Sequence, residues 1–508
     1  MSQVDPLSIA MSGLANINRG LAVVSQNIAN ARTPNYVHET LQQQALGSGD
    51  LPMGVSTGTT VRDLDVALQA RLASQNAAAG EAKVRATALS QIDAMQGTPG
   101  AGTDLTSLLG NLSNSFSTLL NDPSAAPQQQ AVIDQASALA THLRDSSTLI
   151  SQLRQNAHDQ VVSDVGSLNA DLTTIGSLNR QIVAAKAAGV GTADLENQRD
   201  SATMDASNYV DLSFVTRPNG EMTVFTPSGL ELPTNGTGQL SVAGATLGPS
   251  SSYPGGGVPG VMLNGVDVTT SLRSGSIGGA IALRDTALPT DQAMLDEFAV
   301  TLQTRFSDQG LGLFSDAAGH AAIPAASPPR QAPYVGYAGQ ITVTPAIAAN
   351  PRLVRDGTSS IAGSPGGAQA FTPNPAGGPT GFSTLITRIL NYTFGANIAP
   401  GSPQSPPNLT QMGPTGTLSS PAVAAADISS FASTIVTRQA DDASTAANAV
   451  TSANDTQTAL QQSLSVQSGV SMDTELSHMI TLQNAYSANA RVITTMQSLW
   501  TQLLQLAQ

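Results

Sequence analysis

The chain has 508 residues, more than a single hydrophobic core can organise, so we expect several domains. Only 11% of the residues are charged and the net charge is -14. Basic clusters are absent, which excludes nucleic acid as a partner because nothing would neutralise its phosphates. The chain has no cysteine, which excludes disulfides, thiol catalysis and cysteine-based zinc sites.

The N-terminal segment predicts an amphipathic helix that begins near Pro6. Arg19 is its only charge before Ala31, and a helix with so few charges is expected to bury more than one face against other helices. The segment lacks the basic start and the continuous apolar core of a cleaved signal, so we predict neither signal cleavage nor a membrane span. Its apolar residues recur at intervals of three and four, as in a coiled-coil seam: Leu7, Ala10, Leu14, Ile17, Leu21, Val24 and Ile28.

The C-terminal segment has the same pattern, and Arg491 is the only formal charge after Glu475. Each terminal helix alone could pack on an ordinary core, but two uncharged heptad helices at opposite ends of the chain favour a mutual pair. A second apolar stripe on the C-terminal helix contains Val492, Leu499 and Leu506. The predicted seam contains Met479, Leu482, Tyr486, Asn489, Ile493, Met496, Trp500, Leu503 and Ala507.

A turn, Thr33-Pro34-Asn35-Tyr36, is predicted to end the N-terminal helix abruptly. Proline presets its own φ, and asparagine tolerates the left-handed conformation next best after glycine. The chain would therefore leave the helix in a defined direction, as suits a helix that docks in one place on a larger object.

The middle of the chain predicts a mainly α protein with β-rich insertions. Apolar spacing indicates a helical scaffold in residues 41–208 and 424–470, with a helix at 280–310 that returns to it. Alternating segments and the turn signal Pro218-Asn219-Gly220 indicate an outer β domain in 209–279 and 311–356. Proline and glycine dominate 357–423, which we predict to be loops with one short helix. The terminal helices, 1–40 and 471–508, complete an elongated multidomain chain.

Two terminal motifs resemble a known group of proteins. "SQNIANARTPNY" is similar to the N-terminal signature of bacterial flagellar rod, hook and hook-associated proteins, and "MITLQNAYSANARVITTMQSLWTQLLQL" is similar to their C-terminal signature. That pattern usually has glycine where this chain has Asn35. Four internal segments, "LNRQIVAA", "LENQRDSATMDASNYVDLSFVTRPNGEMTVF", "SGSIGGAIALRD" and "SGVSMDTEL", resemble the FlgK family of hook-associated proteins.

The resemblance implies a non-enzymatic structural protein at the junction between flagellar hook and filament, with a hook or rod subunit as the alternative. It implies extracellular location after flagellar type III export, addition as a ring, and contact with hook protein and with the next junction protein. It also implies an export chaperone on the C-terminal helix. Terminal pairing and resemblance together predict an assembly interface of Leu7, Leu14, Ile17, Leu21, Val24, Asn27, Ile28, Asn30, Thr33, Pro34, Asn35, Tyr36, Met479, Leu482, Tyr486, Arg491, Ile493, Met496, Trp500 and Leu503.

One short motif indicates a different class of protein, a secreted serine hydrolase. "GVSTG" fits the nucleophile-elbow pattern around Ser56, but that site needs a strand, a sharp turn and a helix, with a histidine nearby. The five histidines are scattered, and none is spaced from another as metal ligands are, so we predict no active site, metal or cofactor. Asp473 and Glu475 are interpreted as a cap or solvated face at the start of the last helix.

Overall fold

The computed structural model describes residues 6–33, 36–48, 51–97 and 102–506, most of which are helical. Helix α1 spans Pro6–Asn30. An antiparallel hairpin follows, with strand β1 at Glu39–Ser48 and strand β2 at Leu51–Arg62. This hairpin was not predicted: it occupies the start of the segment 41–208 that the sequence assigned to the helical scaffold. The β-branched residues of β2, Val55, Thr57, Thr59, Thr60 and Val61, favour a strand there.

Four long helices form the first part of the scaffold: α2 (Val66–Gln96), α3 (Leu105–Asn121), α4 (Ala126–Ala187) and α5 (Ala193–Ser207). Asp65 caps α2 by accepting hydrogen bonds from the backbone N–H groups of Ala67 and Leu68, each at 3.0 Å. Helix α4 has 62 residues and runs through both of the larger hydrophobic cores.

Small antiparallel sheets lie where alternation predicts strands. One sheet contains β3 (Ser213–Thr216), β4 (Met222–Phe225) and β5 (Glu231–Leu232), and a second contains β6 (Leu240–Ser241), β7 (Met262–Leu263) and β8 (Val266–Asp267). Gly220, with φ of +94°, lies in the predicted turn between β3 and β4. The strands have two to four residues, so the β content is smaller than "β-rich" suggests.

The chain then returns to helix through α6 (Gly275–Ala282), a π-helical turn (Leu283–Ala287) and α7 (Leu288–Asp308). Short elements follow: β9 (Phe314–Ser315), β10 (Thr342–Val343), α8 (Pro345–Ala349), α9 (Leu353–Asp356), α10 (Thr384–Arg388), a π-helical turn (Ile389–Thr393), β11 (Asn397–Ala399) and β12 (Ser402–Pro403). Two long helices end the chain, α11 (Ile428–Ser468) and α12 (Met472–Leu506). The structure is thus mainly α with small sheets.

Two large hydrophobic cores are arranged along α4. The first surrounds Phe116, Phe298 and Phe306 and receives Phe431 from α11. The second packs the later turns of α4, such as Leu168 and Leu172, against the small sheets. α11 packs along α2, so the last third of the chain closes on the first. Residues distant in sequence therefore build one helical body that carries the two chain ends.

One buried carboxyl group on α7 makes stability depend on pH. Burial raises the pKa of Asp291 to about 7, although the nearby Arg438 guanidinium opposes the shift. The folded chain therefore holds this proton more tightly than the unfolded chain, and stability falls as pH rises from about 4 to about 7. We expect Asp291→Asn to raise the melting temperature at pH 8 and to leave it unchanged near pH 4. Calorimetry measures both.

The control is Asp441→Asn, which removes an exposed carboxylate from α11. It should shift the melting temperature by a similar small amount at both pH values. A gain for Asp291→Asn that is as large at pH 4 as at pH 8 would contradict this account.

Candidate assembly site at the two chain ends

Helices α1 and α12 pack side by side and antiparallel. A Cβ atom on Gly13 would lie 3.2 Å from Nδ2 of Asn489, and one on Gly20 would lie 3.3 Å from Cδ1 of Leu482. Asn27 contacts Glu475 one heptad further along. The residue numbers fall on α12 as they rise on α1. Because two of the facing positions on α1 are glycines, the helix backbones approach closely there.

The hairpin covers a second face of α1. Ser12 Oγ donates to the carbonyl of Ile9 at 2.8 Å and accepts from the N–H of Val55 at 3.3 Å. A Cβ atom on Gly54 would overlap Ser12 Oγ, so the strand lies directly on the helix. The expectation that α1 buries a second face against another helix is therefore corrected, because strand β2 lies on that face.

The predicted interface residues differ widely in exposure. The buried ones are Ile17, Val24, Asn27 and Leu482. The half-buried ones are Leu7, Leu14, Leu21, Ile28, Asn30, Tyr36, Met479, Ile493 and Met496. The exposed ones are Thr33, Tyr486, Arg491 and Trp500. Pro34 and Asn35 lie outside the described residues, as does the side chain of Leu503.

The exposed end of α12 follows from the pairing register. Residues 13 and 489 face each other, as do 20 and 482, so the first described residue of α1, Pro6, faces position 496. The predicted seam residue Trp500 lies beyond that point, and its side chain is 69% exposed. Val492 and Leu499, from the second apolar stripe, are each 48% exposed. An apolar surface of α12 is thus left uncovered within the single chain.

Asn27, near the end of α1, is 1% exposed and joins three segments of the chain. Its Nδ2 donates to the carbonyl of Glu39 at 2.9 Å and to Glu475 Oε2 at 3.1 Å. Its Oδ1 accepts from the N–H of Glu39 and from the hydroxyl of Tyr36, both at 3.1 Å. The side-chain amide therefore pairs with the first residue of β1 much as a neighbouring strand would.

Glu475, in the first turn of α12, is only 2% exposed. Its Oε2 accepts from Asn27, and its Oε1 accepts from Nε2 of His38 at 3.0 Å. The N–H of His38 donates to the carbonyl of Ser468 at 2.8 Å, which ties the same point to the end of α11. The interpretation of Glu475 as part of a cap or solvated face is wrong, because the end of α1 and residue 38 cover its carboxylate.

The base of the hairpin is clamped onto α5. Arg62, the residue opposite Glu39, donates to Glu196 Oε2 at 3.1 Å, to Asn197 Oδ1 at 3.0 Å and to Asp200 Oδ2 at 2.6 Å. Asn197 Nδ2 in turn donates to Glu39 Oε1 at 2.9 Å. These contacts connect the terminal helices to the scaffold through the hairpin.

We call the contacts of Asn27, His38, Glu39, Arg62, Asn197 and Glu475 the joint. Burial shifts the pKa values of two groups there. Burial raises the pKa of Glu39, the charge of Asp194 adds to the shift, and Arg62 opposes it. Burial and the neighbouring Glu39 also raise the pKa of the Tyr36 hydroxyl, so it stays protonated and donates to Asn27. Charge-assisted hydrogen bonds between one arginine and several carboxylates are strong and directional, so they hold the hairpin base in a fixed position on α5.

Sequence reasoning missed five residues of this joint: His38, Glu39, Arg62, Asn197 and Glu475. The "NQRD" and "SGVSMDTEL" segments contain Asn197 and Glu475, so the family resemblance carried a signal there. Glu39 and Arg62 are the first and last residues of an unpredicted hairpin, His38 precedes it, and the three have no periodic pattern.

The structure does not support the serine-hydrolase geometry. Ser56 lies inside β2, paired with Gln44, and not at a turn between a strand and a helix. Within the described parts of the chain, no group of three or more histidine or acidic residues could hold a metal ion.

One described stretch, Leu7–Asn30, matches a membrane span by length and composition alone. A buried helix of a globular protein passes the same test. The contacts of α1 with α12 and β2 favour a packed helix.

Two families of flagellar proteins match parts of this chain. The model of the flagellar hook-associated protein FlgK helical domain matches residues 89–321, and the model of the flagellar basal body rod FlgEFG protein C-terminal region matches residues 460–506. These matches make the chain similar to two families of flagellar proteins, one of hook-associated proteins and one of rod proteins. Among flagellar proteins, they and the curated relatives confirm its resemblance to the FlgK family, flagellar hook-associated protein 1.

The similarity to individual relatives is low and partial. Flagellar hook-associated protein 1 of Bacillus subtilis (strain 168) is 25% identical over 227 residues, covering 42% of this chain and 44% of that protein. The Escherichia coli (strain K12) protein of the same name is 23% identical over 308 residues, covering 59% and 56%. The chain spans about half the length of the curated relatives it matches.

A solved structure of the flagellar hook junction protein FlgK from Burkholderia pseudomallei is 24% identical, with a TM-score of 0.41. The match covers 51% of this chain and 47% of that one.

Proposed function

We propose that the chain is a structural axial protein of the bacterial flagellum that forms the junction between hook and filament. The observation that carries this proposal is the match of residues 89–321 to the FlgK helical domain, the part that distinguishes this family from others with similar ends. The uncovered apolar side chains of α12, Val492, Leu499 and Trp500, support it because they suit contact with further subunits.

We further propose the domain layout that this function needs. Residues 1–40 and 471–508 form the assembly domain, and residues 41–208 and 424–470, with the helix at 280–310, form the scaffold. The small sheets in 209–279 and 311–356 and the loops of 357–423 are insertions on this scaffold, and Phe314, Phe371 and Ile386 of the inserted segments pack in its first hydrophobic core. The contacts of α1 with α12 and of α2 with α11 support this division.

The proposed partners are other flagellar axial components: hook protein, the next junction protein and further copies of this chain. A dedicated chaperone would bind α12 before export, because its apolar positions need cover in the cell. Export would leave the protein outside the cell without cleavage of a signal. No catalytic activity is proposed.

The second candidate, a hook or rod subunit, is favoured by the C-terminal match at residues 460–506. The test is an epitope inserted at Gly366, which lies in an exposed turn with open space around it. Gold-labelled antibody on isolated hooks with filaments should mark a single band where hook meets filament. Label along the whole hook, or on the rod, would favour the alternative, and no label on any flagellar part would overturn the proposal.

A further inference from the structure

The geometry around Asn27 points to a coupling device: we propose that the Asn27–Glu475 contact makes α1, β1 and the start of α12 dock together or not at all. We call Asn27, His38, Glu39 and Glu475 the end latch. The inference concerns how the chain orders its own two ends, so it does not depend on the flagellar assignment.

The side-chain amide of Asn27 makes four hydrogen bonds at once. It bonds the N–H and the carbonyl of Glu39, the carboxylate of Glu475 and the hydroxyl of Tyr36. With Asn27 buried, removal of its amide would leave these groups without their partner, and the cost of an unmade buried hydrogen bond exceeds the net gain from a made one. Helix α1 therefore cannot leave this position without exposing the partners on β1 and α12.

Glu475 makes the dependence reciprocal. Each carboxylate oxygen has one side-chain partner, Asn27 on α1 for Oε2 and His38 beside β1 for Oε1. If α1 and residue 38 withdrew, a buried carboxylate would lose both partners, and the first turn of α12 would have to move into water. Ordering of α12 thus requires the N-terminal segment, and the N-terminal segment gains its partner from α12.

Coupling of this kind links segments that are 448 residues apart in sequence. His38 also bonds the carbonyl of Ser468, and the N–H of Asp65 donates to Ser468 Oγ at 3.1 Å. The end of α11 and the start of α2 are thereby held at the same point. The end latch is therefore anchored to the scaffold, and it positions the pair of terminal helices relative to it.

The test is hydrogen exchange, followed by mass spectrometry, on the purified full-length chain with Asn27→Ala or Glu475→Gln. Each substitution alone should speed exchange about tenfold or more in α1, in β1 and at the start of α12 together, the effect of losing a charge-assisted hydrogen bond. Asn30→Ala is the control for α1, since its side chain bonds Gln26 and Thr33, both local, among the residues that the structure describes. Asp473→Asn is the control for α12, since Asp473 is exposed.

The double variant decides between coupling and two separate local effects. If the latch couples the ends, Asn27→Ala and Glu475→Gln combined should speed exchange little more than either alone. Rates that multiply in the double variant would overturn the proposal. Faster exchange in the substituted segment alone would also overturn it. So would exchange rates that are the same in the wild-type and variant chains, whether those rates are fast or slow.

Discussion

Leu482→Asp is expected to abolish incorporation of the chain into flagella while leaving its central helices folded. Leu482 is 8% exposed and packs with Ile17 and Val24 against the glycine at position 20. A carboxylate in this apolar cluster would lose its hydration, a cost on the order of several kcal/mol that the terminal pair cannot offset. Swimming in soft agar and the amount of the chain in isolated hook–filament preparations measure the effect.

The neighbouring residue supplies the control. Gln483→Asp places the same charge on an exposed position of α12, so it should assemble nearly as well as the wild type. The melting temperature of the purified chain, which reports mainly on the scaffold, should be similar for both variants. Equal loss of assembly in Leu482→Asp and Gln483→Asp would mean that the helices pair through another face.

Both terminal helices could be predicted from local spacing. The intervals of three and four between apolar residues place α1 and α12 correctly, because helical periodicity needs no knowledge of tertiary contacts. The spacing of apolar residues was less informative about which side of α1 packs against α12. The side of α1 that faces α12 includes Gly13 and Gly20, while Leu7, Leu14 and Leu21 are only half-buried. A count of apolar residues gives glycine no weight, although it permits the closest helix approach.

The family resemblance placed Asn27 in the predicted interface, but the contacts that Asn27 makes could not be predicted from the sequence. Asn27, His38 and Glu475 are polar residues without periodic spacing, and each is ordinary for a cap or solvated surface when considered alone. Their roles depend on contacts between distant segments, such as the pair of residues 448 apart. The hairpin was missed because glycine and glutamine interrupt its alternation, and α1 supplies the burial that strands of this composition need.

Arg62→Met is expected to lower the stability of the purified chain by about 3–5 kcal/mol, as when one partner of a buried ion pair is removed. Arg62 bonds three α5 side chains, and its partner Asp200 is only 1% exposed. Without the guanidinium, Asp200 and Glu196 would repel each other in a site with little water. Urea unfolding, with fluorescence of a reporter placed on α5, measures the change.

Two further variants separate the charge of Arg62 from the shape of its guanidinium, and a third serves as a control. Arg62→Lys keeps the charge but cannot make the forked contacts of a guanidinium, so its loss should be intermediate. Asp200→Asn in the Arg62→Met background should recover part of the stability, because it removes the unpaired carboxylate. Arg85→Met is the matched control: its pair with Glu81 has an N–O distance of 3.9 Å and is exposed, and such pairs contribute about 0–1 kcal/mol. If Arg62→Met cost no more than Arg85→Met, the attachment of the hairpin base to α5 would not depend on the Arg62 guanidinium.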